Sequence, residues 1–422
     1  LINQFEYKLK QFLSGQFVRN VSWLGTAELA NRIFRLATTV TLARTFSPQD
    51  YGLMAIIYTT IDFANIFTLK GGIGGKIIQA DEQDVKNICD TSYWLNWMLC
   101  GAIFLIQCFV AFIIAKFYEN NQILLPILTI SFVYLFLPIY MIQSAMIERE
   151  NRLKVIAIGN VAYSLFSNAI IVTFAILNMG IWAIVWGTLF ATPIWIIVAY
   201  VNHPWRPPKY FTLKGWRKII NYGGNLLGVE LIGMIKWNLD YLIVGNYLGI
   251  EALGIYFFAF NAGLGIGLNV LGTFTSALFP YLCEVRGEIQ LLKRHFFSSL
   301  KKTSAILIPL IIVQSSLAPF YIPIIFGQKW INAIPVVVLL CLSALPFSLS
   351  RSTYVLLNAV DKPRLNFYLQ LVYTIIFAVS LLIAIKWGIY WVAVSVLISN
   401  LLTLVIGSIW AIRYVFRGSN YA

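Results

Sequence analysis

Apolar runs long enough to cross a lipid bilayer follow one another along this 422-residue chain, and Ser92 to Ala115 is among the least interrupted. A backbone in hydrocarbon has no water to bond, so its amides must be satisfied within the protein, which leaves helices and closed barrels. About 20 residues of helix cross the apolar layer, whereas barrel strands are ~10 residues of alternating character. The runs here have helix length and no alternation. Composition agrees: 59% of residues are hydrophobic and 11% charged, against roughly a quarter charged in a soluble domain. The chain reads as an all-α integral membrane protein.

Twelve spans can be drawn. The first six have cores at Val21 to Ala43, Tyr51 to Leu69, Ser92 to Ala115, Ile123 to Met146, Val155 to Leu177 and Ile181 to Val201. The second six are Ile219 to Tyr247, Ala252 to Tyr281, Thr303 to Ile325, Ala333 to Leu357, Leu365 to Ile385 and Ile389 to Arg413. An even number puts both termini on one side. With the termini inside, the outer turns hold only Arg44, Lys116, Lys329 and Lys386. Arg32, Arg35, Lys236 and Arg351 fall within spans, and the rest of the 31 Lys and Arg lie in segments assigned to the cytoplasm. That bias fixes the orientation and accounts for most of the net charge of +14. The basic residues sit in short loops, so no nucleic-acid partner is expected. The outer loops leave no room for a catalytic domain. Leu1 to Asn20 is polar and lacks the apolar core of a cleavable signal.

The longest inner link is Asn202 to Gly215, NHPWRPPKYFTLKG, whose three prolines keep it extended. It divides an N-lobe, 1–201, from a C-lobe, 216–422. A second inner segment, Glu284 to Lys302, has an apolar face in Ile289, Leu292, Phe296 and Leu300 beside Lys293, Arg294, Lys301 and Lys302. It reads as an amphipathic helix on the inner membrane surface.

The two lobes repeat one plan. Phe46 to Ala55 (FSPQDYGLMA) aligns with Leu248 to Phe257 (LGIEALGIYF), pairing Gly52 with Gly254. Phe117 to Pro126 (FYENNQILLP) aligns with Phe326 to Pro335 (FGQKWINAIP), and Arg152-Leu153 with Arg364-Leu365. The matches keep a common order at slowly drifting offsets, as a duplication with small insertions would. The expected architecture is two six-helix bundles related by a pseudo-two-fold along the membrane normal, because each copy holds an even number of spans.

Charges inside spans cost on the order of 3 kcal/mol each even on lenient insertion scales, so they mark pairing or a polar cavity. Span one carries Glu28, Arg32 and Arg35 on one face and span two carries Asp62; span seven carries Glu230, Lys236 and Asp240, and span ten Arg351. One reading makes them paired ions that fix helix register. The other has Arg32, Arg35, Lys236 and Arg351 lining a cavity between the copies and binding an anionic, phosphate-bearing substrate, since a guanidinium fork bonds two phosphate oxygens at once. Glu28, Asp62, Glu230 and Asp240 would then take up a coupling proton or sodium ion.

Other patterns carry no chemistry. Cys89, Cys100, Cys108, Cys283 and Cys341 have no metal or redox spacing and read as packing residues; His203 and His295 fall in inner loops. GLGIG (Gly263 to Gly267) sits in a span without a preceding strand, and GGIGG (Gly71 to Gly75) lacks the Lys-Ser/Thr ending of a phosphate loop. No cofactor is implied.

ARTFSPQDYGLMA (Ala43 to Ala55) resembles the turn after the first helix of Wzx-type polysaccharide flippases, and DYLIVGNYLGIEALGIYFFA (Asp240 to Ala259) is similar to its second-lobe counterpart. LFPYL (Leu278 to Leu282) and FGQKW (Phe326 to Trp330) follow in the family's order. The family belongs to the multidrug/oligosaccharidyl-lipid/polysaccharide exporter superfamily. The resemblance implies two six-helix bundles forming a V in the bacterial inner membrane, with both termini cytoplasmic. It implies a carrier, not an enzyme, that flips an undecaprenyl-diphosphate-linked oligosaccharide by alternating access. Membrane lipids, a polysaccharide polymerase and a chain-length regulator would be its partners. The family has no invariant catalytic motif to carry over, so the site residues rest on burial and charge. A multidrug cation antiporter of the same superfamily is the alternative; it would favour an acidic cavity, whereas buried cations here equal buried acids. A membrane glycosyltransferase, polymerase or ligase would need the large outer loop this chain lacks.

Overall fold

A computed structural model describes residues 34–417, leaving aside the side chains of 225, 226, 229 and 417. Among the described residues the regular elements are helices throughout. Ten stretches are long and apolar enough to cross a membrane. One of them, Glu230–Cys283, has 54 residues; it turns at Gly249, whose backbone is not helical, so it holds more than one crossing of a ~30 Å layer.

The chain forms two compact units, Leu1–Phe46 with Ile56–Trp237, and Ser47–Ala55 with Asn238–Ala422. The first unit contains α1 (34–45), most of α2 (Pro48–Phe67), α3 (Lys70–Ile78) and α4 (Glu82–Phe117). It continues through α5 (Leu124–Ile130), α6 (Val133–Arg149), α7 (Leu153–Ile176), α8 (Trp182–Asn202) and the first half of α9 (Trp216–Ala262). Its core joins Leu69, Ile73 and Ile77 to Cys89, Leu95, Met141, Ile142, Ala145 and Ile219. GGIGG is therefore neither loop nor phosphate cradle but helix α3, packed on the start of α9. A Cβ on Gly72 would lie 2.4 Å from the Gly223 Cα, and one on Gly75 3.2 Å from the Tyr222 hydroxyl, so bare backbone is what lets the helices meet.

The proline-rich link is strapped down within this unit. Thr91 Oγ1 donates to the Lys214 carbonyl (2.9 Å), Trp94 Nε1 to the Tyr210 carbonyl (2.8 Å) and the Tyr210 hydroxyl to Asp90 (2.9 Å). At its start His203 is buried, accepts from the Trp205 amide at Nδ1 (3.1 Å) and places Nε2 3.3 Å from Glu150. Trp205 packs on the α3–α4–α6 core and against Tyr93.

The second unit holds the rest of α9, then α10 (Leu264–Cys283), α11 (Ile289–Tyr321), α12 (Ile334–Leu342), α13 (Ala344–Ala359), α14 (Pro363–Ala384), α15 (Ile389–Ser399) and α16 (Val405–Arg417). A π-helical turn, Asn400–Leu404, joins the last two. The apolar face expected to rest on lipid is covered by protein instead. Leu292 and Phe296 are fully buried against Leu278, Leu282, Val355 and Leu356, and the segment runs straight into the span as α11. His295 lies on this helix, stacked on Tyr281, not in a loop.

Three expected spans are interrupted. Spans four and ten break at Ser131 and Ser343, both fully buried, each hydroxyl donating to the carbonyl three residues back (Leu128, 2.6 Å; Leu340, 2.7 Å). Span eight breaks at Gly263, within GLGIG. There Gln314 Nε2 donates to the Ala262 and Gly263 carbonyls (2.7 and 3.1 Å), supplying the bonds that the lost turn withdraws.

Similar helix ends occur in both halves, at Arg152 and at Lys362, two residues before the Arg364 matched from sequence. After α6, Asn151 takes positive φ and the Arg152 amide bonds the Ile147 carbonyl; after α13, Asp361 takes positive φ and the Lys362 amide bonds the Leu357 carbonyl. Both are Schellman-type ends. Near the first turn, Ser47 and Asp50 close a capping box (2.7 to 3.1 Å), where the second copy uses Gly249 at φ 84°. Within the second unit these two turns meet reciprocally. A Cβ on Gly52 would lie 1.9 Å from the Ile250 carbonyl oxygen, and one on Gly254 1.7 Å from that of Pro48. Residues 48 and 250 are themselves equivalent in the alignment, so the contact is self-complementary, as across a two-fold axis. Tyr51, Phe258 and Trp330 pack beside it, the latter two stacked at 4.0 Å.

Gly52→Ala and Gly254→Ala should each lower the thermal midpoint of the purified protein, the overpacking costing about 1–3 kcal/mol. Gly101→Ala, with open space around it, should be neutral or stabilising. Equal midpoints for all three would refute the close approach. A second expectation concerns pH. Burial pushes the His203 imidazole below the ordinary histidine value of 6.5, against the pull of Glu150. Because the folded state holds its proton less tightly than the unfolded chain, the clasp is at full strength above 6.5 and is lost as pH falls through the lowered value. Hydrogen exchange in 203–215 should accelerate between neutral pH and about pH 5, and His203→Gln should flatten that dependence.

Candidate functional site

The charges singled out from sequence fall into distinct settings. Glu28 and Arg32 lie outside the described residues. Arg35 is exposed on α1 and Asp62 exposed on α2, and Tyr58, one turn before Asp62, is electrostatically coupled to both. Tyr134 of α6 completes this part of the first unit, its hydroxyl donating to the Ile61 carbonyl (3.2 Å). The first unit thus brings Arg35 and Asp62 to one neighbourhood.

Span seven divides its three charges between the units. Glu230 is exposed and comes within 3.5 Å of where a Cβ on Gly71 would stand. Lys236 is half-buried and engaged in an interaction of its own; both belong to the first unit. Asp240 belongs to the second unit and is buried. Arg351, on α13, is half-buried and likewise engaged.

Asp240 is the best defined of these groups. Its carboxylate accepts from the Tyr256 hydroxyl (2.8 Å) and from the Tyr241 amide (3.0 Å). Tyr373 of α14 is electrostatically coupled to the same carboxylate, and its hydroxyl donates to Asn400 Oδ1 (2.9 Å) in the π-helical turn. The Asn400 amide nitrogen is buried with no hydrogen-bond partner among the described residues. A π-turn in a membrane helix is uncommon and frequent at functional positions. Tyr256, Tyr373 and Asn400 were not singled out from sequence. Each is a polar residue within an apolar run, but nothing in the local pattern separates them from the chain's other aromatics.

Such groups bind and orient through ionic and hydrogen bonds. Among the described residues no three His, Cys, Asp or Glu side chains are placed to share a metal ion. The five cysteines are free thiols, three of them buried, as packing residues should be.

A sequence profile described as "polysaccharide biosynthesis protein" matches residues 41–335. The chain belongs to that family. It is similar to the teichuronic acid biosynthesis protein TuaB of Bacillus subtilis, 25% identical over 417 residues, which are 97% of this chain and 83% of that protein. It is also similar to the lipopolysaccharide biosynthesis protein WzxC of Escherichia coli, 24% identical over 375 residues, 87% of this chain and 74% of that one. The family resemblance read from the turn sequences therefore holds. Among solved structures, the inward closed conformation of the lipid II flippase MurJ superposes with a TM-score of 0.75 over 92% of this chain and 87% of its own, at 14% identity. That likeness establishes a shared fold.

Tyr256→Phe should destabilise the second unit by about 1–3 kcal/mol, the cost of removing one partner from a buried polar pair. Pairing it with Asp240→Leu should recover part of the loss, because both polar groups then leave together. Thermal unfolding of the two variants distinguishes this from a phenol that merely fills space, for which the double variant would be the worse.

Proposed function

We propose that this protein is a flippase that carries an undecaprenyl-diphosphate-linked oligosaccharide across the bacterial inner membrane for the assembly of a cell-surface polysaccharide. The reading rests on one observation: similarity to polysaccharide biosynthesis proteins runs through nearly the whole chain, on a fold shared with a lipid flippase. In this reading twelve spans form two six-helix bundles, 1–201 and 216–422, joined by 202–215. The repeated capped ends, the paired serine breaks and the self-complementary Gly52–Gly254 contact support a duplication with two-fold character. The charge bias of the loops supports cytoplasmic termini.

Arg32, Arg35, Lys236 and Arg351 recognise the diphosphate, the part of the substrate that every glycan variant shares. Their charge suits two adjacent phosphates, and Arg adds bidentate geometry. The polyprenyl chain stays in the bilayer while the sugar crosses. Glu28, Asp62, Glu230 and Asp240 are the acids through which H+ or Na+ would drive the cycle, with Asp240 set apart by its phenolic partner. A polymerase and a chain-length regulator would receive the product. A multidrug cation antiporter shares the fold, but the similarity in sequence runs to polysaccharide proteins.

The test is movement of a fluorescent lipid-diphosphate oligosaccharide in proteoliposomes. Arg35→Ala and Lys236→Ala should each slow flipping about tenfold or more, the scale of a lost charge-assisted hydrogen bond. Lys116→Ala, in an outer turn, should not. Full activity in both variants would make those charges architectural. A wild type that moves no lipid-linked glycan yet exports organic cations would establish the antiporter instead.

A further inference from the structure

A cluster of hydrogen-bonding side chains lies between three helices of the second unit. Helices α10, α11 and α13 line a half-open cleft of about 270 Å³, with Tyr281, Ser299, Thr303, Ser352, Thr275 and the exposed Lys302 among apolar residues. At roughly 30 Å³ per water, that volume accommodates a phosphate with its ester arms.

The hydrogen-bonding capacity of the wall is one-sided. Ser352 and Thr275 donate back to carbonyls of their own helices (2.9 and 3.1 Å). The hydroxyls of Ser299, Thr303 and Tyr281 and the Lys302 ammonium, by contrast, make no hydrogen bond or ion pair with the described residues. No carboxylate lines the cleft to neutralise the lysine. Tyr281 is held in place by His295, whose ring stacks on it at 4.4 Å with only 4° between the planes. Lys302 stands where the basic turns of α11 give way to its apolar run, the depth at which lipid headgroups lie. Basic pockets between membrane helices at that depth are suited to phospholipid headgroups.

We propose that this cleft binds the phosphate of a membrane lipid, held by Lys302 with the hydroxyls of Ser299, Thr303 and Tyr281. Two lipids present that chemistry: an anionic phospholipid of the bilayer, and a polyprenyl diphosphate such as the carrier of a linked glycan. The site's lining does not include Arg351, although Ser352 is its neighbour in the chain. The site is tested by binding alone, so a failed flipping assay would leave it standing, and the reverse holds too.

The experiment is native mass spectrometry of the full-length purified protein titrated with phosphatidylglycerol and, separately, with a polyprenyl diphosphate. Lys302→Gln should weaken at least one probe about tenfold, as losing a charge-assisted hydrogen bond would. Ser299→Leu, which fills the cleft without removing charge, should weaken the same probe. Lys301→Gln, adjacent but outside the lining, should leave binding unchanged. Loss confined to phosphatidylglycerol identifies a bilayer-lipid site, loss confined to the diphosphate a carrier-lipid site, and loss of both a general lipid-phosphate site. Wild-type affinity in Lys302→Gln for both probes, or equal losses in Lys301→Gln and Lys302→Gln, overturns the assignment, the latter because it would reduce the effect to surface charge. Thermal midpoints measured without added lipid show whether each variant is folded.

Discussion

In hydrocarbon, a carbonyl that loses its helical partner must find another within the protein, and the interruptions of this fold obey that constraint. At Gly263 a glutamine from α11 reaches across to two carbonyls. At Ser131 and Ser343 the residue supplies its own donor. Where α6 and α13 end, a left-handed residue lets the chain turn back and bond the last turn. The helices can thus be bent and broken at chosen depths, and the interior surfaces that carry polar groups become possible.

Those polar groups are handled in two ways. Asp240 is taken inside and met by a phenol and a backbone amide, so uncharged donors, not a counter-ion, satisfy it. Arg35, Asp62 and Glu230 instead remain exposed on their helices. A charge satisfied internally restrains the helices around it, whereas an exposed one is available to something that arrives. The distinction cuts across the even division of acids and bases that the sequence suggests, and it sets Asp240 apart from the other acids.

Helix class and the family were legible because each is written in local pattern: run length, turn sequence and order. The breaks were not, since one serine or glycine in an apolar run looks the same whether the helix continues or stops. The segment 289–302 shows how far a pattern reaches. Its apolar face was correctly read from Leu292 and Phe296, yet an apolar face does not say whether lipid or protein will cover it; here Leu282 and Leu356 do. The partners of Asp240 were out of reach for a similar reason. Tyr256 lies beyond Gly249 in α9 and Tyr373 on α14, and only folding brings them to one carboxylate.

The two compact units are interleaved along the chain, and this has a consequence for how the protein is made. Residues 47–55 emerge early from the ribosome, yet the groups they pack against, Ile250, Phe258 and Trp330, are synthesised some two hundred or more residues later. The first unit likewise gains Ile219 and Gly223 only after the proline-rich strap has been translated. The second unit cannot reach its final packing until its early segment, 47–55, meets residues written after the whole of the first unit, so it does not mature as an independent domain would. Until Ile250 arrives, the glycine face around Gly52 lacks the backbone it packs against.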